Sequence, residues 1–172
     1  MDNQALRSLR NLVESLGDNK LIKKGDVANE SFEVEFKMES PAKEEEIRDV
    51  EKQLGVKLPC SFKEFLKTYN GGEMYNFEYI DGYKFFGTGE LCSENKRMID
   101  EYKNDWLNDI IIFAECLGEG NYLGFRAYPD DIYPVIDCFH EVTPSEWRVI
   151  ENSFDNFLEK LIKNNGNKYW LV

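Results

Sequence analysis

Hydrophobic residues recur at helical spacing near both ends of the chain. Across residues 3–16, leucine and valine side chains return every three or four positions, which predicts a helix with one apolar face. A second such run starts at Ser153, a residue suited to the N-cap of a terminal helix. Residues 32–38 instead alternate hydrophobic with charged side chains, which predicts a strand with one buried face. The polar connector at residues 20–29 has no clear period.

Two short helices are predicted within residues 40–72. Ser40 and Pro41 suit the N-cap and first position of the first helix, and Gly55 suits its end. Pro59 blocks continuation, so a second helix must start there, and it ends at Asn70-Gly71-Gly72. The positions predicted to be buried are Ile47, Val50 and Leu54 in the first helix and Phe62, Phe65, Leu66 and Tyr69 in the second.

The rest of the chain predicts short strands joined by turns. Asp81-Gly82, set between aromatic residues, is a typical hairpin turn, and residues 110–114 form a short β-branched run suited to a central strand. Ser93 is a candidate helix cap. Strands are expected over residues 121–127, 133–139 and 147–150. Because these strands do not alternate with helices, we expect an α+β fold with a mainly antiparallel sheet flanked by helices, in a single domain over residues 1–172.

The longest motif of the chain lies in the helix pair and is carried by Glu51, Leu54, Gly55, Leu58, Pro59, Phe62, Phe65, Leu66, Asn70, Gly71 and Gly72. Two shorter motifs lie at residues 113–120 and 153–158. The three motifs resemble those of the SUKH superfamily, in its Smi/Knr (cell-wall assembly regulator-like) branch; they span residues 40–161 and leave residues 1–29 as an N-terminal helix and connector. The resemblance implies a SUKH-like fold. It also implies an immunity role, since bacterial members are mostly proteins that bind and neutralise a partner toxin, often a nuclease or a nucleic-acid deaminase.

The charge of the chain restricts its partners. Its 172 residues carry a formal net charge of −12 at pH 7. Nucleic-acid binding is disfavoured because phosphate contacts need clustered lysine and arginine. Such a protein suits a basic protein partner, although acidity can also serve solubility alone.

The cysteines and the apolar runs indicate a cytoplasmic protein without a metal or cofactor. The four cysteines form no C-x-x-C pair, which argues against a zinc or redox site and favours reduced thiols. The N-terminal residues follow a helical pattern with internal arginines, so no signal peptide is expected. The apolar run at residues 110–114 is too short to cross a membrane.

Few residues suggest chemistry. His140 is the single histidine, and no nucleophile motif accompanies it. Gly118-Glu119-Gly120 leads into a predicted strand, so a turn is favoured over a nucleotide-binding loop. We expect Glu51 to hold the helix pair to the loop at Asn70. Solvated turn acids, rather than a cation site, are expected at Glu115, Glu119, Asp130 and Asp131.

A protein-recognition patch is the leading candidate for function. The segment at residues 73–90 mixes acidic with aromatic residues, a composition typical of interfaces, although an ordinary hairpin with cross-strand rings would look the same. We therefore expect a non-catalytic protein-binding module of the immunity type. The alternatives are a regulatory scaffold of the cell-wall assembly regulator type and, at lower weight, an enzyme or small-molecule binder. The predicted partner-binding residues are Glu73, Tyr75, Glu78, Asp81 and Tyr83, with Asn76 beside them.

Overall fold

A computed structural model describes residues 3–24 and 31–171 of the chain, and these contain eight strands and five α-helices. The strands are β1 (Lys20–Lys24), β2 (Ser31–Met38), β3 (Gly72–Phe77), β4 (Asp81–Phe85), β5 (Ile110–Cys116), β6 (Asn121–Arg126), β7 (Val135–Cys138) and β8 (Arg148–Glu151). The helices are α1 (Gln4–Ser15), α2 (Glu44–Leu54), α3 (Cys60–Thr68), α4 (Leu91–Tyr102) and α5 (Phe154–Lys163).

All eight strands form one antiparallel sheet in which spatial order follows chain order. Each strand therefore pairs with its sequence neighbours, and antiparallel neighbours need only short connections. The helices lie before, between and after the strands without forming β-α-β units. The α+β prediction is confirmed.

The core lies between the sheet and helices α3 and α5. Phe62 of α3 and Phe154 of α5 both contact Phe113 of β5, with ring centroids 5.6 Å apart in each case. Phe113 in turn stacks on Phe125 of β6 at 4.3 Å. These rings are almost wholly buried, so the helix faces predicted from the sequence pack against the central strand predicted at residues 110–114.

Several local predictions of helix ends are confirmed. The helix predicted over residues 3–16 is α1, and its N-cap, which was not predicted, is Asn3, whose side-chain oxygen accepts from Leu6 N at 3.2 Å. Gly55 ends α2 with a φ of 69°, in the left-handed region. Ser153 caps α5, its hydroxyl accepting from Asn156 N at 3.2 Å. These signals depend on neighbouring residues alone, which is why the sequence reveals them.

Other boundaries differ from the prediction. Helix α2 begins at Glu44 rather than Pro41, because Ala42 N donates to Leu66 O at 2.9 Å and ties residues 40–42 to α3. Helix α4 begins at Leu91, before Ser93. Part of the connector, Lys20–Lys24, is strand β1, which pairs with β2, whereas residues 25–29 of that connector lie outside the described residues.

Candidate functional site

The five residues predicted to contact a partner all lie on the hairpin formed by β3 and β4. Of these, Glu78 is exposed, and Glu73 and Asp81 are partly exposed. Tyr75 and Tyr83 are buried. The three predicted carboxylates therefore lie at the surface of one hairpin, whereas both predicted tyrosine rings lie in the interior.

Tyr75 and Tyr83 belong to the core, so their predicted role as surface contacts is wrong. The Tyr83 hydroxyl donates to Gly166 O at 3.0 Å, beneath the chain that follows α5. The Tyr75 ring meets Phe36 edge-on at 4.7 Å and lies against Gly166, where a Cβ would collide with it. Burial raises the pKa of both phenols well above the ordinary value, so both stay neutral.

The hairpin turns at Glu78-Tyr79, three residues before the predicted Asp81-Gly82 turn. Both residues have positive φ, 48° and 59°, and Ile80 N donates to Phe77 O at 2.8 Å. This combination is that of a type I′ turn, which normally takes asparagine and glycine at these two positions. A larger side chain held at positive φ costs about 1 kcal/mol or more.

Contacts outside the turn hold this conformation. The Asn76 side chain accepts from Tyr79 N at 2.9 Å and donates to Glu73 at 2.8 Å. The turn between β5 and β6 supports the other side, since a Cβ at Gly118 would collide with the Ile80 backbone oxygen. The hairpin tip, defined as residues 78–80, is thus fixed from both sides.

Two large hydrophobic side chains project from the hairpin tip. Tyr79 is 64% exposed and Ile80 is 62% exposed. The aromatic group available to a partner is therefore Tyr79, which would lie in the preceding strand if the hairpin turned at Asp81-Gly82 as predicted. No local signal marks it, because neither Glu78 nor Tyr79 is a residue that favours such a turn.

Two ion pairs beside the hairpin tip turn their acidic members toward solvent. Lys23 pairs with Asp81 at 2.6 Å; the lysine side chain is 7% exposed and the aspartate 44%. Lys168 pairs with Glu119, and here too the glutamate is the more exposed partner, at 37% against 15%. The two ion pairs therefore present negative charge to solvent, although each pair is neutral in total.

A cleft of about 790 Å³ lies between these two ion pairs. Its wall includes the chain after α5, where Leu171 is exposed, and two residues next to the tip contacts: Asp81, which follows Ile80, and Glu119, which follows Gly118. The lining residues are Lys23, Asp81, Glu119, Asn164, Gly166, Asn167, Lys168, Tyr169 and Leu171.

A row of alternating charge crosses the sheet and is balanced. Paired positions on β2 to β5 carry Lys37, Glu73, Lys84 and Glu115 in that order. Opposite charges at paired positions stabilise a sheet. Because a lysine lies on either side of Glu73, this carboxylate offers less free charge to a partner than Glu78 does.

The remaining candidate residues have structural partners. A ring nitrogen of His140, Nδ1, lies 2.7 Å from the Asn121 side-chain oxygen, which also accepts from His140 N at 3.1 Å. Glu51 accepts from Leu58 N at 2.8 Å and pairs with Lys63 at 3.2 Å, so it joins α2 to α3. Its predicted link to the Asn70 loop is wrong, because Asn70 bonds to Thr88 instead.

The remaining sequence predictions concern one turn, the thiols, metal ligands and membrane spans. Residues 118–120 form a turn before β6, as predicted. The four cysteines, all within the described residues, are free, and Cys116 and Cys138 are buried. In the part of the chain that the structure describes, no three His, Cys, Asp or Glu side chains gather as metal ligands would. None of the described helices combines the length and apolar character needed to span a bilayer.

Comparison with known proteins agrees with the resemblance noted from the motifs. The chain is 27% identical over 142 residues to the uncharacterized protein YnaB of Bacillus subtilis (strain 168), covering 80% of this chain and 88% of YnaB. It is 24% identical over 134 residues to an argonaute protein of Methanocaldococcus jannaschii, covering 75% of this chain but 18% of the argonaute. The profile of the SMI1/KNR4 family (SUKH-1) matches residues 41–160, most of the chain. The chain therefore belongs to the SMI1/KNR4 family (SUKH-1).

Proposed function

We propose that this chain is a non-catalytic protein-binding module: a cytoplasmic immunity protein that binds a cognate toxin and covers its active site. The toxin is of net positive charge, as expected for a nuclease or nucleic-acid deaminase that must approach phosphates. Family membership supports a protein partner in general. That this partner is a toxin is our proposal.

The surface around the β3–β4 hairpin carries the proposal. Glu78 is exposed, and Asp81 and Glu119 are the outward members of their ion pairs. Carboxylates arranged in this way can occupy the sites where a basic enzyme would hold phosphate groups. Charge complementarity of this kind speeds encounter and selects the partner.

We assign His140 a structural role. The Asn121 side-chain oxygen lies 2.7 Å from its Nδ1 and also accepts from the His140 backbone N–H, so these contacts hold the chain after β7 to β6. They involve Nδ1 and not Nε2, the atom that would act as a general base in a triad, so the His140→Ala variant is the test of binding without turnover.

A co-expression experiment tests the proposed function. We expect the gene directly upstream of this one to encode the toxin, and its toxin domain is produced in bacteria with and without this chain. Growth should be restored by the parent chain and equally by the His140→Ala variant. Failure of the parent chain to protect, or to bind the purified domain, would refute the immunity role. Loss of protection in His140→Ala at normal protein level would favour an enzyme.

A further inference from the structure

We propose that the hairpin tip is the anchor of the partner interface. In this proposal, which rests on the proposed function, Tyr79 and Ile80 enter an apolar depression on a basic protein. Glu78, Asp81 and Glu119 pair with lysine and arginine side chains at the rim of that depression.

The first argument is the composition and exposure of the tip. Tyr79 and Ile80 are adjacent, and both are mostly exposed. Tyrosine is enriched among the few residues that carry most of the binding energy at interfaces, usually at the centre of a patch with a polar rim. An aromatic and an aliphatic side chain surrounded by carboxylates match that arrangement.

The second argument is that the tip is rigid before any partner arrives. Backbone hydrogen bonds at Tyr79 and Ile80 and the close approach of Gly118 fix its conformation. A group that is already ordered loses less conformational entropy when it binds.

The third argument is the strain at the turn. Glu78 and Tyr79 both lie at positive φ, where glycine and asparagine are preferred. Residues held in sparsely populated backbone regions cluster at binding and catalytic sites, where the surrounding structure maintains them. A tyrosine in place of glycine at this position offers a large contact surface in return for that strain.

The fourth argument identifies the partner as basic. Lys23 is buried beneath Asp81, and Lys168 is less exposed than its partner Glu119, so the carboxylates are the members that face the partner. Glu78 adds a third carboxylate at the tip itself. A ring of lysine and arginine around an apolar depression complements this surface, whereas an acidic partner would be repelled.

Affinity measurements with the upstream-encoded toxin domain as the probe test the proposal. The double variant Tyr79→Ser/Ile80→Ser should raise the Kd at least about 30-fold. A matched control is available in Tyr128 and Ile132, another exposed tyrosine and isoleucine on a loop, and Tyr128→Ser/Ile132→Ser should change the Kd less than about threefold. Thermal unfolding of each variant checks that it is folded, and Tyr79→Gly, which suits the positive φ, is a second variant that removes the ring.

The outcomes separate this inference from the proposed function. If the parent chain binds the toxin domain and neither tip variant weakens binding, the anchor is wrong while the immunity role stands. If the parent chain does not bind, the proposed function fails and the anchor fails with it. Sedimentation of the chain alone gives a third outcome: a dimer that the tip variants dissociate would show that a second copy, not a basic partner, occupies the tip.

Discussion

The side-chain amide of Asn95 pairs with the backbone of Ile112 as a neighbouring strand would. Its nitrogen donates to Ile112 O and its oxygen accepts from Ile112 N, both at 2.8 Å. Pairing of β4 with β5 ends at Phe85 and Ala114, followed by one bond from Phe86 N to Phe113 O. Asn95, on α4, therefore supplies the hydrogen-bond partners of the Ile112 backbone at the point on β5 where pairing with β4 has ended.

Replacing Asn95 with alanine should destabilise the fold by about 2–4 kcal/mol. The change would leave the N–H and C=O of Ile112 unpaired in a buried position, and each unsatisfied group costs about 1–3 kcal/mol. Urea denaturation measures the effect. Lys96→Ala, at the next and exposed position of α4, should change the free energy of unfolding by less than about 0.5 kcal/mol. Equal midpoints for the two variants would contradict the role of Asn95.

Phe65→Ala should cost about 3–5 kcal/mol, and Leu54→Ala clearly less. Phe65 is fully buried against Phe154 and Phe85, so its removal leaves a cavity. Leu54, also predicted from the sequence to be buried, is only half-buried at the end of α2. Thermal or urea unfolding of both variants ranks their effects on stability. A larger effect at Leu54 would show that Leu54, rather than Phe65, makes the main apolar contacts of the helix pair.

Tyr79→Gly should stabilise the isolated chain, by up to about 1 kcal/mol, while it weakens partner binding. Glycine relieves the strain of the positive φ, offset in part by its greater freedom in the unfolded chain. Gly55→Ala is the converse control, since φ is 69° there and open space surrounds the position; it should destabilise by about 1 kcal/mol. If Tyr79→Gly instead lowers the melting temperature, the ring supports the fold and is no free anchor.

Glu78→Lys should slow association with the upstream-encoded toxin domain about three- to tenfold and leave the fold intact. Rim charges act mainly on the association rate. Added salt should slow the parent chain more than the variant, because exposed charges are screened beyond about 8–10 Å at physiological ionic strength. Stopped-flow mixing at several salt concentrations measures both effects. Glu159→Lys, an exposed position on α5, is the control, and an equal loss there would mean that only net charge matters.

Asp137→Asn should gain stability relative to the parent chain as the pH rises from about 4 toward neutral. Burial raises the pKa of Asp137 above its ordinary value of 3.8, opposed by Lys168 and Arg148 and reinforced by Glu119. Well below pH 3.8 the carboxyl is protonated in both states, so the shift has no effect there. Above that pH the unfolded chain ionises first, and the folded parent loses stability until its own carboxyl ionises. The difference in urea midpoint between Asp137→Asn and the parent chain should therefore be larger at pH 7 than at pH 3.5. An equal difference at both pH values would contradict a raised pKa.

The sequence by itself determined the local elements of this protein. Gly55 ends its helix by adopting a left-handed backbone, and Ser153 begins its helix through a bond from Asn156 N. The spacing of Phe62 and Phe65 defines a helix face wherever that helix packs. The alternation at residues 32–38 likewise predicts strand β2. The prediction of an antiparallel sheet followed from the order of these elements, because the strands do not alternate with helices. That β2 pairs with β3 across α2 and α3, and β4 with β5 across α4, is decided by the tertiary structure.

Only the tertiary structure decided which residues of the hairpin meet solvent. Asp81-Gly82 is the strongest turn signal in the segment, yet Gly82 lies in β4, where its missing Cβ lets the Tyr75 backbone approach. Tyr83 is buried beneath the chain at Gly166, 83 residues away, to whose oxygen its hydroxyl donates. The Ile80 backbone is held by the turn at Gly118. Tyr79 is left exposed as a result. Burial depends on which distant segment covers a side chain, and the spacing of residues along the chain does not contain that information.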